Sequence, residues 1–196
     1  MKQILFFVTI LLSINSLAQD KTSSIYFQFS DKSVTLYPFY KTFSVGFAPA
    51  LTFGAEKDFF VKNNYTFFYA SDYTFYKHNM IGNGHSINLN IGYKNNILNN
   101  LYIDCMSGIN LISFFTARED LSLNENGEYE KTNPVHFNFG ININLGIGYQ
   151  INRCAIFSQY SYMLQGKYNN ILPILPTSLL SIGLKYQLKT KTAAIN

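Results

Sequence analysis

The 196-residue sequence has no tryptophan, two cysteines and few charges: Asp, Glu, Lys and Arg together make up 13% of it, against roughly 25% in ordinary soluble domains. A soluble domain with so few charges would be hard to keep in solution. The formal net charge is +4, or about +3 without Lys2. It is mild and scattered, which excludes the basic surface that nucleic acid requires. Two cysteines are too few for a disulfide framework. Cys105 and Cys154 are expected on strands that are not neighbours and read as small apolar fillers. Beyond residue 18 no apolar run reaches the roughly 20 residues a spanning helix needs, so helical membrane insertion is excluded. No phosphate-binding loop of P-loop or dinucleotide type occurs, and no histidine or cysteine pair has metal-ligand spacing. Neither cofactor nor metal is therefore expected.

What the chain does have is an export pattern at its start. Lys2 supplies a positive charge, Ile4 to Ile14 an apolar stretch, and Ser16-Leu17-Ala18 a small-x-small cleavage site. Residues 1–18 are thus expected to be a signal peptide, leaving 19–196 as one domain. The absence of a cysteine after the cleavage site argues against a lipid-anchored N-terminus.

The remaining feature is strict two-residue alternation. Successive side chains of a strand point to opposite faces, so alternation marks a strand with one apolar side. In "HFNFGININLGIGYQI", residues 136–151, every odd position from Phe137 to Tyr149 is apolar, and every even one from Asn138 to Gln150 is Asn, Gly or Gln. The same rhythm occurs in "KTFSVGFAPALTFGAE" (41–56), where Pro49 suggests a bulge or bend, and in "SINLNIGYK" (86–94). It recurs in "LYIDCMSGINLISFF" (101–115), "CAIFSQYSYMLQ" (154–165) and "SLLSIGLKYQL" (178–188), and more loosely in "TFFYASDYTFYK" (66–77). An eighth strand, "SIYFQFS" (24–30), is short and carries the faintest pattern.

Connections alternate too. Those at 59–66, 94–101 and 151–154 are compact, while 31–40, 78–84, 116–135 and 166–176 are longer or more varied. Short turns taking turns with long loops is the layout of an up-and-down barrel with periplasmic turns and outside loops. If 116–135 is outside, both chain ends lie on the periplasmic side and the strand count must be even. The first strand is needed by that parity.

The distribution of side chains is the reverse of a soluble protein's. Gly, Asn, Ser and Thr on one face of nearly every strand would fill a soluble core poorly, yet they suit a polar barrel interior. Phe, Ile, Leu and Tyr are then left to face lipid, and closure of the sheet satisfies the backbone groups that lipid cannot. The expected fold is all-β: an eight-stranded antiparallel up-and-down transmembrane β-barrel. Aromatic residues fall at both predicted ends of the lipid face, Tyr93, Tyr149 and Tyr186 at the periplasmic end and Phe43, Phe75, Phe115 and Phe137 at the other. Such rings can straddle a membrane interface.

These features together resemble the small outer-membrane β-barrel family, the broad group with OmpA-like and OmpX-like barrels. The last strand adds Ser181, Gly183, Tyr186 and Leu188, which fit the polar-x-Gly-x-x-aromatic-x-hydrophobic signal such proteins present to the barrel assembly machinery. Eight residues follow Leu188, so the terminal-aromatic form of that signal is missing. The resemblance implies residence in the outer membrane of a diderm bacterium, contact with its lipid, and passage through periplasmic chaperones. A monomer is expected.

An eight-stranded barrel is just wide enough for its own side chains, which argues against a general diffusion pore. Inward Glu56, Asp72, Lys94, Asp104 and Lys185 are expected to pair with one another, since buried charges must be compensated. A narrow channel is the alternative this leaves open.

Some small outer-membrane barrels modify lipid A with a Ser and a His at the outer leaflet. Here His78, His85 and His136 fall at the outer rim, but adjacent His85 and Ser86 point to opposite faces of their strand and no His-x-Ser pair shares one. The reading is therefore non-catalytic. The loop "TAREDLSLNENGEYEKTNPV" carries Glu119, Asp120, Glu125, Glu128 and Glu130 against Arg118 and Lys131. It is the candidate binding element for an extracellular ligand.

Overall fold

The computed structural model describes residues 22–34, 48–62, 64–78, 82–115, 121–123, 129–131, 135–166 and 174–188. They form β1 (Ser23–Val34), β2 (Pro49–Lys62), β3 (Tyr65–His78), β4 (Gly82–Asn96), β5 (Leu101–Phe115), β6 (Leu121–Leu123), β7 (Tyr129–Lys131), β8 (Val135–Ile151), β9 (Cys154–Gly166) and β10 (Ile174–Leu188). Eight of these close into a barrel in the order β1-β10-β9-β8-β5-β4-β3-β2, every pair antiparallel. The faintly patterned first strand runs for 12 residues and closes the ring against β10.

The stagger of the barrel can be read from its pairing. From Ser23 the register passes through Lys57, Tyr69, Ile91, Ser107, Ile143, Tyr162 and Ser178 and returns to β1 at Ser33, ten residues beyond the start. That shift tilts the strands and, with their number, sets the bore.

Three short connections join strands at one end, as the sequence implies: Lys62 pairs with Tyr65, residues 97–100 link β4 to β5, and Asn152 and Arg153 link Ile151 to Cys154. Asn152 has φ 55°, the left-handed conformation that a two-residue hairpin turn demands and that Asn tolerates better than most residues.

Two local expectations need correction, the first being the connection at 59–66, which is strand up to Lys62 and again from Tyr65. Pro49 makes no bulge: it opens β2 in continuous register with Asp31, at the one place in a strand where the missing N–H matters least. The irregularity lies further along, between Asp58 and Phe60, where the extra residue turns Phe59 and Phe60 both outward. The long loop also holds a hairpin of its own, in which β6 pairs with β7.

The outer face is predominantly apolar. Phe137, Phe139, Ile91 and Ile182 are 79%, 73%, 66% and 61% exposed, while Asn110, Asn142 and Asn144 on the other face are buried. Cys105 and Cys154 are exposed and unbonded, on strands separated by β8.

The interior is less uniformly polar than the alternation suggests. Apolar clusters occupy both ends: Tyr26, Tyr102, Ala155 and Phe157 with Phe68, Ala70 and Met106 toward the short turns, and Ala50, Tyr76, Ile112, Phe114, Met163, Leu175 and Leu179 toward the long loops. Amides and hydroxyls fill the middle. Room for the rings comes from glycine, because each inward ring lies directly across from one: Tyr26 from Gly54, Phe68 from Gly92, Tyr76 from Gly84, Tyr102 from Gly148 and Phe157 from Gly183. A Cβ at any of these glycines would press into its partner's ring. The inward glycines are therefore space-makers that let a narrow barrel hold large side chains.

Candidate functional site

Three of the charged residues expected inside meet near the short-turn end. Glu56 accepts from Lys94 at 2.5 Å through one carboxylate oxygen and from Lys185 at 2.6 Å through the other. Rings surround them, with the Lys185 ammonium 5.4 Å from the centroid of Phe157, 5.6 Å from Tyr102 and 5.9 Å from both Tyr26 and Phe68. Lys94 lies 4.9 Å from Phe68 and 5.5 Å from Tyr102. Ring faces attract cations over such distances, so one carboxylate and four rings share the burden of two ammonium groups. Asp104 faces the same region opposite Lys94, although one of its carboxylate oxygens accepts no hydrogen bond.

Asp72 is held differently. It accepts from the Tyr26 hydroxyl at 3.0 Å, from Thr74 Oγ1 and Asn90 Nδ2 at 3.4 Å, and from Asn88 Nδ2. Asn110 Nδ2 extends the network to Asn88 at 2.9 Å. This carboxylate is stabilised by neutral donors, which is the use the sequence makes of its inward Asn and Thr.

Toward the long loops lies a charge the sequence reading overlooked. Lys32 is 1% exposed, with its ammonium 3.2 Å from the centroid of the Tyr76 ring. Its parity with Tyr26 and Gln28 already placed it inside, but it falls beyond the stretch recognisable as a strand. Between it and Asp72 the middle of the barrel encloses a cavity of about 20 Å³ lined by Gln28, Asn88, Asn144 and Gln159, among others. That is room for about one water molecule. Buried side chains of the described strands crowd around it.

Toward the long loops His85 faces outward, its Nδ1 bonded to the Tyr73 hydroxyl and its ring against Phe75 and Phe115. Ser86 is buried on the inner face, as alternation requires. Outward Ser113 is the cross-strand partner of His85, a proximity that single-strand spacing does not reveal; no hydrogen bond joins the two. His78 and His136 are on β3 and β8, with side chains outside the described set. Among the described residues no group of three or more His, Cys, Asp or Glu is placed to hold a metal ion.

The other residues singled out from the sequence fall as follows. Tyr93, Tyr149, Tyr186, Phe75, Phe115 and Phe137 are exposed on the outer face, and Phe43 lies outside the described residues. Ser181 and Gly183 point into the lumen from β10, Tyr186 and Leu188 outward. Glu130 is on β7 opposite Ser122, while Glu119, Asp120, Glu125 and Glu128 lie outside the described residues. The sequence reading missed an aromatic patch at the bulge. Phe59 stacks on Tyr69 with centroids 6.1 Å apart, Phe60 lies 6.3 Å from Tyr65, and Phe67 lies 5.3 Å from Tyr93. Alternation hides this group, because only a bulge brings Phe59 and Phe60 to one face.

No protein-family model and no curated protein matches the chain. Solved structures do. Neisserial surface protein A superimposes with a TM-score of 0.51 at 14% identity, over 87% of this chain and 98% of its own. Ail, the attachment invasion locus protein of Yersinia pestis, in complex with the heparin analogue sucrose octasulfate, gives 0.51 at 12%, over 86% and 97%. At such identities the likeness is one of fold. The chain has the fold of the small eight-stranded outer-membrane β-barrels.

Proposed function

We propose that this chain is an integral outer-membrane protein, exported through a cleaved signal peptide at residues 1–18, with a structural or surface-interacting role and no catalysis. The observation that carries the reading is the inversion of its faces: a wall of exposed Phe, Ile, Leu and Tyr around a polar, packed lumen. An aqueous surroundings would make that wall an aggregation site, whereas hydrocarbon makes it the stable arrangement. In this setting Tyr93, Tyr149 and Tyr186 form the periplasmic girdle and Phe43, Phe75, Phe115 and Phe137 the outer one. Ser181, Gly183, Tyr186 and Leu188 present the assembly signal to the barrel assembly machinery, after periplasmic chaperones have carried the chain across as a monomer.

The packed lumen favours a scaffold over a channel, and the aromatic enclosure of His85 favours a structural histidine over a base. Interaction is assigned to the loop 116–135, with Glu119, Asp120, Glu125, Glu128 and Glu130. Ail is seen with a polysulfated sugar analogue; an acidic loop here suits a basic partner instead. Heat-modifiable gel mobility of the detergent-extracted envelope protein tests the reading. A faster unboiled band from the membrane fraction is the expected result, and a water-soluble chain with no shift would overturn it.

A further inference from the structure

The turn between β4 and β5 reads Asn95-Asn96-Ile97-Leu98-Asn99-Asn100, two aliphatic residues between two pairs of amides. Ile97 and Leu98 are 52% and 66% exposed, where a turn ordinarily carries small or polar side chains. Together with Asn64 of the neighbouring turn and Tyr149 of β8, residues 96–101 line a cavity of about 680 Å³. That falls within the range of ligand pockets, roughly 300–1,000 Å³.

The cavity is built on a fixed frame. The Asn96 N–H donates to the Asn64 carbonyl and the Gln150 N–H to the Asn100 carbonyl, each at 2.7 Å, so the turn is tied to its neighbours on both sides. Within it the Ile97 N–H donates to the Leu101 carbonyl at 2.9 Å, and Asn100 Nδ2 donates to the Tyr149 hydroxyl at 3.4 Å. A frame held this way loses little freedom when a ligand docks.

The chemistry of the lining selects the ligand. Each Asn side chain offers two donors and an acceptor oxygen, the complement of sugar hydroxyls and acetamido groups. Ile97, Leu98 and Leu101 supply apolar contact for acetamido methyl groups. An extended peptide is ordinarily taken up along an unpaired strand edge, and the closed barrel offers none here. Charge adds to this: exposed Lys62 and Arg153 stand on the flanking turns, and no acid occurs at residues 62, 64, 96–101 or 152–153.

We infer that this cavity binds the N-acetylated aminosugar glycan of the cell wall, its acetamido groups on the asparagine amides and its carboxylates toward Lys62 and Arg153. Location supplies the occupant, because on the membrane reading above the short turns face the periplasm, where that polymer lies. The inference rests on that reading.

The test titrates the full mature chain, folded in detergent, with chitotetraose, a neutral N-acetylglucosamine tetramer, and with maltotetraose, which lacks the acetamido groups. Calorimetry should show chitotetraose bound about tenfold more tightly, and Asn99→Ala should weaken it about fivefold through the loss of one amide's hydrogen bonds. Co-sedimentation with purified sacculi should fall about fivefold in Lys62→Gln with Arg153→Gln, a pair of exposed charge contacts. Ile156→Phe on the outer wall should change neither. Absence of chitotetraose binding, equal affinity for the two sugars, or binding indifferent to Asn99→Ala would overturn the inference. Sedimentation indifferent to the loss of both cations would overturn the part assigned to carboxylates. Sedimentation with sacculi without chitotetraose binding would assign the contact to the wall's peptides and overturn the glycan site. If Asn99→Ala does not fold, Leu98→Ser decides: undiminished binding overturns the inference. A water-soluble chain with no heat-modifiable mobility would instead overturn the membrane reading.

Discussion

The two ends of the lumen bury cations in opposite ways. Near the short turns, Lys94 and Lys185 share the carboxylate of Glu56 inside a ring of four aromatic side chains. Near the long loops, Lys32 lies against the face of Tyr76 and across from Leu179. The first arrangement is a network in which each member depends on the others. Among the described residues, the second is a contact of one cation with one ring. Removing a partner from a buried ion pair strands a charge, whereas losing a ring contact removes a modest attraction and some packing. The ends should therefore fail very differently when altered.

The largest effect is expected from Glu56→Gln, which takes from Lys94 and Lys185 the carboxylate they share. Urea unfolding of the detergent-folded barrel, followed by the shift in gel mobility, should show a loss of about 3–5 kcal/mol. Stability within 1 kcal/mol of the parent would mean that the rings alone suffice, and the contrast between the ends would collapse.

Next comes Gly92→Val, which drives a side chain into the Phe68 ring. Overpacking of this kind costs about 1–3 kcal/mol, and Phe68→Ala in the same chain should recover part of the loss. No recovery would show that glycine is needed there for its backbone and not for its space.

At the other end Tyr76→Leu removes the ring beneath Lys32. A loss of about 0.5–2 kcal/mol is expected for the cation contact, with a smaller packing term because Leu keeps part of the bulk. The same substitution made with Lys32→Met should show coupling of that order in a double-mutant cycle. Additive effects would detach Lys32 from the ring.

Lys32→Met alone should have the smallest effect, near zero or slightly stabilising, since a methionine of similar volume replaces a cation that one ring attracts. A loss above about 2 kcal/mol would make the long-loop end as dependent on charge as the short-turn end.

How much of this was legible beforehand can be judged from particular residues. Alternation from Phe137 to Tyr149 placed the exposed apolar face correctly, and even the loosely patterned β3 turned Asp72 inward as expected. The inward placing of Glu56, Lys94 and Lys185 followed from the same parity. That they meet around one carboxylate did not, because Glu56 and Lys185 are joined only when the last strand closes on the first. The bulge at Phe59 was invisible for a related reason: it interrupts the very period used to find strands, and the proline that looked like an interruption was not one.

The sequence by itself thus determined everything that depends on strand parity: the all-β class, the eight strands, their up-and-down order and which side chains face out. Parity is a property of each strand alone, set by the geometry of an extended backbone. The tertiary structure alone decided what meets what across strands: the ten-residue stagger, the glycine opposite each inward ring and the ion cluster around Glu56. Those depend on register, and register is settled only when the closed sheet must satisfy all its pairings at once.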